Sequence, residues 1–330
     1  MFERVWLTWK QHRFETGLVV AIGLITAVAA LIEAWRLNSV GFPSSCLSDG
    51  RVPYWYDPAQ AVTACQAAGQ RFHDIHNEFD FGLVAEAGQL LPFLAGLALG
   101  AQLVAGEIDG GTAPFAWTLA DSRWKWLLWK LVAAVLLLVP FMLIAGMAED
   151  VLQGAVNPGL SAYASFENYT ARGIFWVLWG VAALCGTVAL GTIIGRASPT
   201  VLVALVICIF ARGTLEPALN ATVLRPLAVL ELPRIHTPGE LVVSSGGLYL
   251  DGQPFSGDLQ TWYQDNETCT ALAGGGTECH SPEQGPEDSS YAIPGNQYWP
   301  VVARGAAAML AGTAVLAALG FFLVGRRRPY

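Results

Sequence analysis

The chain has 330 residues, of which 54% are hydrophobic and only 13% are charged. Together with a mean hydropathy of +0.45, this composition excludes an ordinary soluble protein and predicts a membrane protein with several spans. The formal net charge of -8 argues against nucleic acid as a partner, because domains that bind nucleic acid are usually basic.

The first fifteen residues combine apolar and basic side chains at helical spacing. Phe2 and Trp9 share one helical face, and Arg4 lies on or beside the opposite face. Residues 1–15 are therefore predicted to form an interfacial elbow helix, with an unstructured basic leader as the alternative. Residues 16–35 lack a small-residue cleavage site, and they are predicted to be retained as transmembrane helix 1.

Five further apolar runs are predicted to cross the membrane, which gives an all-α fold with six transmembrane helices. Transmembrane helices 2 to 6 are predicted at residues 81–105, 126–148, 171–194, 199–215 and 301–324. External segments are predicted at residues 36–80, 149–170 and 216–300, and cytoplasmic segments at residues 106–125 and 325–330.

The longest polar segment, residues 216–300, divides into two parts. The first part is apolar but is interrupted by Pro217 and Pro226, which favours a re-entrant or interfacial helix over a span. The second part has short alternating runs between Gly and Pro, and this pattern predicts a small β-rich external cap.

The distribution of basic residues predicts the orientation of the chain. Ten of the 18 Lys and Arg residues lie in the two termini, in the stretch 106–131 and in the turn at Arg196. Cytoplasmic segments of membrane proteins are enriched in Lys and Arg, so both termini are predicted to be cytoplasmic.

Four of the six cysteines lie in the predicted external segments, where the environment is oxidising. Cys46, Cys65, Cys269 and Cys279 allow three disulfide pairings. The pairings Cys46 with Cys65 and Cys269 with Cys279 are favoured because each closes a local loop, and free thiols are the alternative.

One polar stretch, residues 106–131, has the features of ordered structure. Glu107 and Asp109 precede a Gly-Gly pair that permits a sharp reversal, and Thr112 then favours a new helix start. Basic residues alternate with Trp from residue 123 onward, which is typical of a helix that enters lipid from the cytoplasm. The stretch is therefore predicted to be a helical hairpin at the cytoplasmic surface.

These residues resemble the permease subunits of type-2 ABC (ATP-binding cassette) exporters, especially the short actinobacterial kind. Members carry an acid, three variable residues and Gly-Thr between their second and third membrane helices, followed by Trp-Thr, Ser-Arg and Lys. The matching residues are Glu107, Gly111, Thr112, Trp117, Thr118, Ser122, Arg123 and Lys130. The resemblance implies that the hairpin is a coupling helix, which docks on an ATPase through Glu107, Asp109, Gly111, Thr112 and Arg123.

The resemblance also implies the partners and the location. The sequence contains no GxxxxGK[ST] phosphate loop, so ATP and Mg are expected on a separate ATPase dimer, with no cofactor on this chain. Two permease copies are expected to assemble as a homodimer among the lipids of the bacterial plasma membrane. The expected activity is export of an amphipathic compound such as a drug, an antimicrobial peptide or a lipid, and the chain itself is not expected to be an enzyme.

Polar residues inside two predicted spans are candidates for the substrate pathway. Glu86 and Gln89 lie in the second span, and Arg212 lies in the fifth. Ionisable groups within a membrane are costly, so Glu86 and Arg212 are interpreted as substrate contacts or as a gating ion pair. The alternative is that both side chains extend to the external interface.

A cluster of polar residues in the first external segment suggests a different function. Two histidines and three acids lie close together at His73, Asp74, His76, Glu78 and Asp80. These side chains are capable of ligating a divalent metal, but acids are also common at the start of a helix, and no metal site is predicted. A metal-handling membrane protein or enzyme and a sensor or immunity module are the alternatives to the exporter.

Overall fold

The computed structural model describes residues 13–48, 50–53, 63–78, 81–119, 122–231, 239–250, 253–258, 261–262, 268–271, 277–280 and 287–327. Six helices in these residues are long and apolar enough to cross a membrane, and this confirms the predicted polytopic helical fold. Residues 1–12 of the predicted elbow helix and residues 328–330 of the tail lie outside the described residues.

The helices are numbered here in chain order. They are α1 (Arg13–Ser39), α2 (Thr63–Glu78), α3 (Phe81–Ala101), α4 (Glu107–Asp109), α5 (Ala113–Leu119), α6 (Arg123–Val156), α7 (Ile174–Ile194), α8 (Ala197–Leu219) and α9 (Tyr298–Arg326). Two π-helical segments continue helices of this set: Gln102–Gly106 joins α3 to α4, and Asn220–Leu224 follows α8.

Helix α7 forms the centre of the bundle. It packs against α3, α6, α8 and α9. In its most apolar 18-residue stretch 67% of the residues are buried, compared with 17% in the most apolar stretch of Ala197–Leu227, which includes α8. The approach of α3 depends on small residues, because a Cβ atom added at Gly96 would lie 2.3 Å from the carbonyl oxygen of Gly180. Close backbone packing at glycine is typical of helix pairs in membranes.

The outer faces of the bundle are apolar. Helix α1 packs along α6 and presents its other face outward, where Ile25 and Trp35 are exposed. Helix α8 similarly exposes Leu202 and Phe210. An apolar surface of this extent marks contact with lipid or with another apolar partner, as expected for a membrane protein.

A small antiparallel sheet covers one end of the bundle. Its strand order is β1 (Val229–Glu231), β6 (Glu287–Ile293), β2 (Leu241–Leu250) and β3 (Gln253–Pro254). Val229 pairs with Ala292, and Leu241 pairs with Ile293. Ile293 is fully buried and packs in one cluster with Phe175 and Val301, at the first turns of α7 and α9. This end is called the sheet end, and the opposite end, with α4 and α5, is called the hairpin end.

A separate ribbon pairs β4 (Thr268–Ala271) with β5 (Thr277–His280). The strands are antiparallel, and Cys269 lies opposite Cys279.

Several elements extend beyond their predicted bounds. Helix α2 forms within the segment predicted as an external loop, α6 continues from the predicted residue 148 to Val156, and α8 continues from residue 215 to Leu219. The extension of α6 carries Asp150, whose charge is paired with Arg172, two residues before the start of α7. Because the ion pair satisfies this carboxylate, the helix continues past the end of its apolar run.

Candidate functional site

The hairpin is built from two short helices and a tight turn. Gly111 follows α4 with a φ of +68°, a backbone conformation that glycine adopts without steric strain. The amide and the hydroxyl of Thr112 both donate to the carbonyl oxygen of Glu107, at 3.0 and 3.2 Å. The carbonyl of Thr112 then accepts from the amide of Ala116, which starts α5. These bonds fix the direction of α5 relative to α4.

An ion pair connects the hairpin to the third span. Glu107 of α4 accepts from the ammonium group of Lys130 on α6, and both side chains are mostly buried. The Lys130 ammonium also lies 4.7 Å from the centroid of the Trp126 ring. A mostly buried pair has strict geometry, because either charge left alone there would be unfavourable. Movement of α4 is therefore expected to move α6.

A second contact connects the hairpin to the fifth span. A carboxylate oxygen of Asp109 accepts from the backbone amide of Ala197, the first residue of α8, at 3.4 Å. The first amides of a helix have no partner within the helix and carry partial positive charge. An acid at this position therefore stabilises the start of α8 and attaches it to the hairpin.

Arg123 connects the end of the hairpin to the last span. Its guanidinium donates to the carbonyl of Arg327 and lies 5.0 Å from the centroid of the Trp117 ring. Arg327 in turn donates to the carbonyl of Thr192 near the end of α7. The hairpin residues predicted from the resemblance are thus in contact with α6, α8 and the end of α9, and Arg327 continues this connection to α7.

The outer surface of the hairpin is exposed in the part of the chain that the structure describes. Phe115 is 69% exposed, and Gly111, Thr112 and Thr118 are also exposed. An exposed Phe among small polar residues fits a protein surface that binds a partner, because aromatic residues are enriched at the centre of interfaces.

At the sheet end, Arg212 of α8 is surrounded by polar partners. Its guanidinium donates to the side chain of Gln89 at 3.3 Å and to the hydroxyl of Thr170 at 3.0 Å. It also pairs with Glu216 one turn later on the same helix. The structure therefore brings together Gln89 and Arg212, two of the three residues predicted for the substrate pathway. The side chain of Glu86 lies outside the described residues, so its pairing with Arg212 stays a prediction.

Two cavities meet near Arg212. An open polar groove of about 520 Å³ is lined by Gln89, Arg212, Gly213, Glu216, Pro217, Asn220, Val242 and Val243. A narrower apolar cavity of about 240 Å³ lies on α7, between α8 and α9, and it is called the lateral cleft. Trp179 lines the lateral cleft, and its ring centroid lies 5.7 Å from the Arg212 guanidinium. The polar groove and the cleft are thus adjacent.

A buried ion pair at the sheet end was not identified from the sequence. Arg172 is 2% exposed, and it donates to Asp150 at 3.1 Å and to the carbonyl of Ala162 at 2.7 Å. It donates to the carbonyl of Ser165 as well. The signal was available, because an Arg directly before an apolar helix requires a partner when it is buried. Its partner Asp150 lies in the segment 149–170 that the sequence predicts to be external.

The cysteines of the first polar segment form the predicted disulfide between Cys46 and Cys65. Cys185 and Cys208 are free thiols within spans. The backbones of Cys269 and Cys279 are paired opposite each other, but their side chains lie outside the described residues, so this disulfide stays a prediction.

The two histidines of α2 have protein partners. The Nε2 atom of His73 donates to the carbonyl of Pro53 at 3.1 Å, and the His76 ring stacks on Phe72 with centroids 6.4 Å apart. Burial lowers the pKa of His76, and the nearby His73 lowers it further. In the described residues, no group of three or more His, Cys, Asp or Glu side chains is arranged to hold a metal ion. Nothing in this geometry favours the metal-handling alternative.

Comparison with known proteins identifies the family. The model of the family described as ABC-2 membrane transporter related matches residues 23–219, which is more than half of the chain. No curated protein and no solved structure matches the chain. The matched residues include five of the candidate spans, at least in part, and the whole hairpin. The chain therefore belongs to the ABC-2 membrane transporter related family.

Proposed function

We propose that the chain is the permease subunit of an ABC exporter, driven by a separate ATPase that binds ATP and Mg. The observation that carries this proposal is the attachment of the hairpin to two spans at once. Glu107 pairs with Lys130 of α6, and Asp109 accepts from Ala197 of α8. A partner that pushes on the hairpin therefore acts directly on the helices of the membrane domain.

The docking surface is proposed to be the exposed side of the hairpin, with Phe115 at its centre. Gly111 and Thr112 leave the turn uncovered, and Phe115 offers a large apolar contact. Arg123 lies beneath this surface and holds the hairpin through Trp117 and Arg327. In this proposal Glu107, Asp109 and Arg123 transmit movement, whereas Phe115 contributes most of the contact with the ATPase.

The hairpin end is proposed to face the cytoplasm of a bacterium, with the sheet as an external cap. The excess of Lys and Arg in the termini and the hairpin supports this orientation. A homodimer of permeases is proposed because six spans are few for a closed pathway. The part of the unburied α8 surface outside the lateral cleft, which includes Leu202 and Phe210, is the face best suited to a second copy, with lipid around the remaining surface.

The substrate is proposed to be an amphipathic compound that moves outward past α3 and α8. ATP binding would close the ATPase dimer and bring the two hairpins together, and the tilt of α6 and α8 would change which side of the cavity is open. Gln89 and Arg212 would then contact the substrate at the outer end of the pathway. Glu86 precedes Gln89 by one turn of α3 and is proposed to contribute to the same region.

The test is purification of the tagged full chain from host membranes, followed by measurement of ATPase activity in lipid. The variant Phe115→Asp is expected to recover about 30-fold less ATPase than the wild type, because a central aromatic contact contributes about 2 kcal/mol or more to binding. Trp299→Asp is the matched control, since Trp299 is similarly exposed but lies at the sheet end. Equal ATPase recovery with both variants would contradict docking on the hairpin.

A further inference from the structure

The lateral cleft and the polar groove lie next to each other, and together they offer an apolar and a polar binding surface. On α3, Gln89 of the groove lies one turn before Phe93 of the cleft, and on α8, Arg212 of the groove lies one turn after Cys208 of the cleft. Trp179 joins the two parts, because its ring is 5.0 Å from that of Phe93 and 5.7 Å from the Arg212 guanidinium. A ligand with an apolar and a polar part can therefore occupy both.

The shape of the cleft limits its apolar occupant to something narrow. Its volume of about 240 Å³ lies below the range of about 300–1,000 Å³ that is typical of pockets for drug-sized ligands. The cleft nevertheless runs along α7 from Trp179 to Ile193, which is most of the length of that helix. A long and narrow apolar cleft fits one extended hydrocarbon chain better than a compact ring system.

The cleft opens sideways toward the bilayer. Ile193, Ile207 and Leu319 belong to its lining, and each of these side chains is 43–61% exposed. In contrast, Ala204 on the inner wall is only 2% exposed. Because the rim is apolar and unburied, a chain can enter from the surrounding lipid without crossing a polar barrier.

The groove offers two opposite charges to a headgroup. Arg212 is the more buried of the pair, and the Glu216 side chain is 32% exposed. An anionic headgroup would have to displace Glu216 from Arg212 and leave a carboxylate without its partner. A zwitterionic headgroup supplies an anion for Arg212 and a cation for Glu216, so that neither charge is left uncompensated.

From these observations we infer that the lateral cleft and the polar groove bind a zwitterionic amphipath, with one hydrocarbon chain in the cleft and its headgroup between Arg212 and Glu216. This inference rests on the proposed function in one respect: if the chain is an exporter, zwitterionic amphipaths would be its substrate class. A membrane phospholipid and a lipidated zwitterionic compound share this chemistry.

The thiol of Cys208 lines the cleft and reports on its occupancy. The rate of maleimide alkylation at Cys208 is measured in detergent by peptide mass spectrometry, with added phosphatidylethanolamine or with phosphatidylglycerol of the same chains. Phosphatidylethanolamine is expected to slow the reaction in the wild type, and phosphatidylglycerol is expected to be much less effective. Equal protection by both lipids, or unchanged alkylation both with phosphatidylethanolamine and with a zwitterionic lysolipid, would overturn the inference.

Variants separate the contributions of chain and headgroup. Ala204→Phe fills the cleft and is expected to abolish the effect of lipid, whereas Leu202→Phe on the exposed face of the same helix is expected to leave it unchanged. Arg212→Gln is expected to raise the lipid concentration for half protection about tenfold. ATPase recovery depends on the hairpin and is measured separately, so failure of lipid protection is distinguishable from failure of the proposed exporter.

The protecting molecule distinguishes the two sources. A zwitterionic lysolipid with one chain tests the minimal ligand, and it is expected to protect Cys208 as well, because only one chain enters the cleft. Protection by two-chain phosphatidylethanolamine as well as by the lysolipid supports a membrane phospholipid, whereas protection by the lysolipid alone supports a single-chain zwitterionic compound. Failure of the lysolipid beside protection by the two-chain lipid would contradict the assignment of one chain to the cleft.

Discussion

Glu107 of α4 and Lys130 of α6 form an ion pair in which the two side chains are 18% and 12% exposed. They lie 23 residues apart, at either side of the hairpin. The pair closes the hairpin at its base, so that α4 and the first turns of α6 form one unit. The proposed transmission of movement into the membrane depends on this unit.

Reversal of one charge in this pair is expected to destabilise the protein. Glu107→Lys places two like charges together and should lower the free energy of unfolding by about 1–3 kcal/mol. The double variant Glu107→Lys with Lys130→Glu should recover most of this loss. Thermal unfolding in detergent measures the stability of the single and the double variant. Additive destabilisation in the double variant would show that the two side chains do not interact.

Removal of the buried Arg172 charge is expected to destabilise the protein more than removal of an exposed charge. Arg172→Met leaves Asp150 buried without its partner, which costs about 3–5 kcal/mol in comparable pairs. Arg51→Met is the matched control, because the Arg51 pair with Glu167 is largely exposed and should contribute less than about 1 kcal/mol. Similar unfolding temperatures for the two variants would contradict the importance of the buried pair.

The pKa of His76 predicts a dependence of stability on pH. Burial lowers the pKa of His76 below its ordinary value of 6.5, mainly by desolvation and also through His73, although Glu167 acts in the opposite direction. The folded protein therefore binds fewer protons than the unfolded chain when the pH falls through 6.5. The contribution of neutral His76 to stability is complete above that pH and is lost progressively below it.

The measurement is thermal unfolding of the wild type and of His76→Gln between about pH 8 and about pH 5. The wild type is expected to lose more stability than the variant as the pH falls. Parallel curves for the two proteins would show that His76 does not titrate differently in the folded state.

The register of the β4–β5 ribbon predicts a second disulfide. Cys269 lies directly opposite Cys279, and opposed Cα atoms of antiparallel strands are about 4.5–5.5 Å apart. This separation lies within the usual range of about 4.4–6.8 Å for disulfides. A non-reducing digest should yield linked peptides for Cys269 with Cys279, beside those for Cys46 with Cys65. Free thiols at Cys269 and Cys279 in protein from an oxidising compartment would contradict the prediction.

The spans were predictable because length and hydropathy alone determine whether a segment can cross lipid. The ends of the helices were harder to predict where charged or polar residues interrupt the apolar pattern. Helix α6 continues to Val156 because Asp150 has a partner in Arg172. Arg172 lies 22 residues later in the chain, and it reaches Asp150 only because the loop between them returns to α6. Helix α2 is polar, and it joins the bundle through the Cys65 disulfide and through Phe72, which is buried against α1 and α6.

The hairpin residues were found by resemblance, but their contacts were not. The pairing of Glu107 with Lys130 and the contact of Asp109 with Ala197 depend on the packing of three helices, which residue spacing does not encode. The partner of Arg212 was easier to predict from the sequence, because Glu216 lies four residues later on the same helix face. The lateral cleft could not be predicted, since it arises from the way α8 and α9 both pack on α7.

The most direct test of the proposed function is crosslinking of the hairpin to the ATPase in native membranes. Thr112→Cys places a thiol on the exposed turn, and Ser161→Cys places one at the sheet end as a control. With a short thiol-to-amine crosslinker, Thr112→Cys is expected to capture a protein that carries a nucleotide phosphate loop, and Ser161→Cys is not. A phosphate-loop ATPase captured at neither position, or equally at both, would contradict docking at the hairpin.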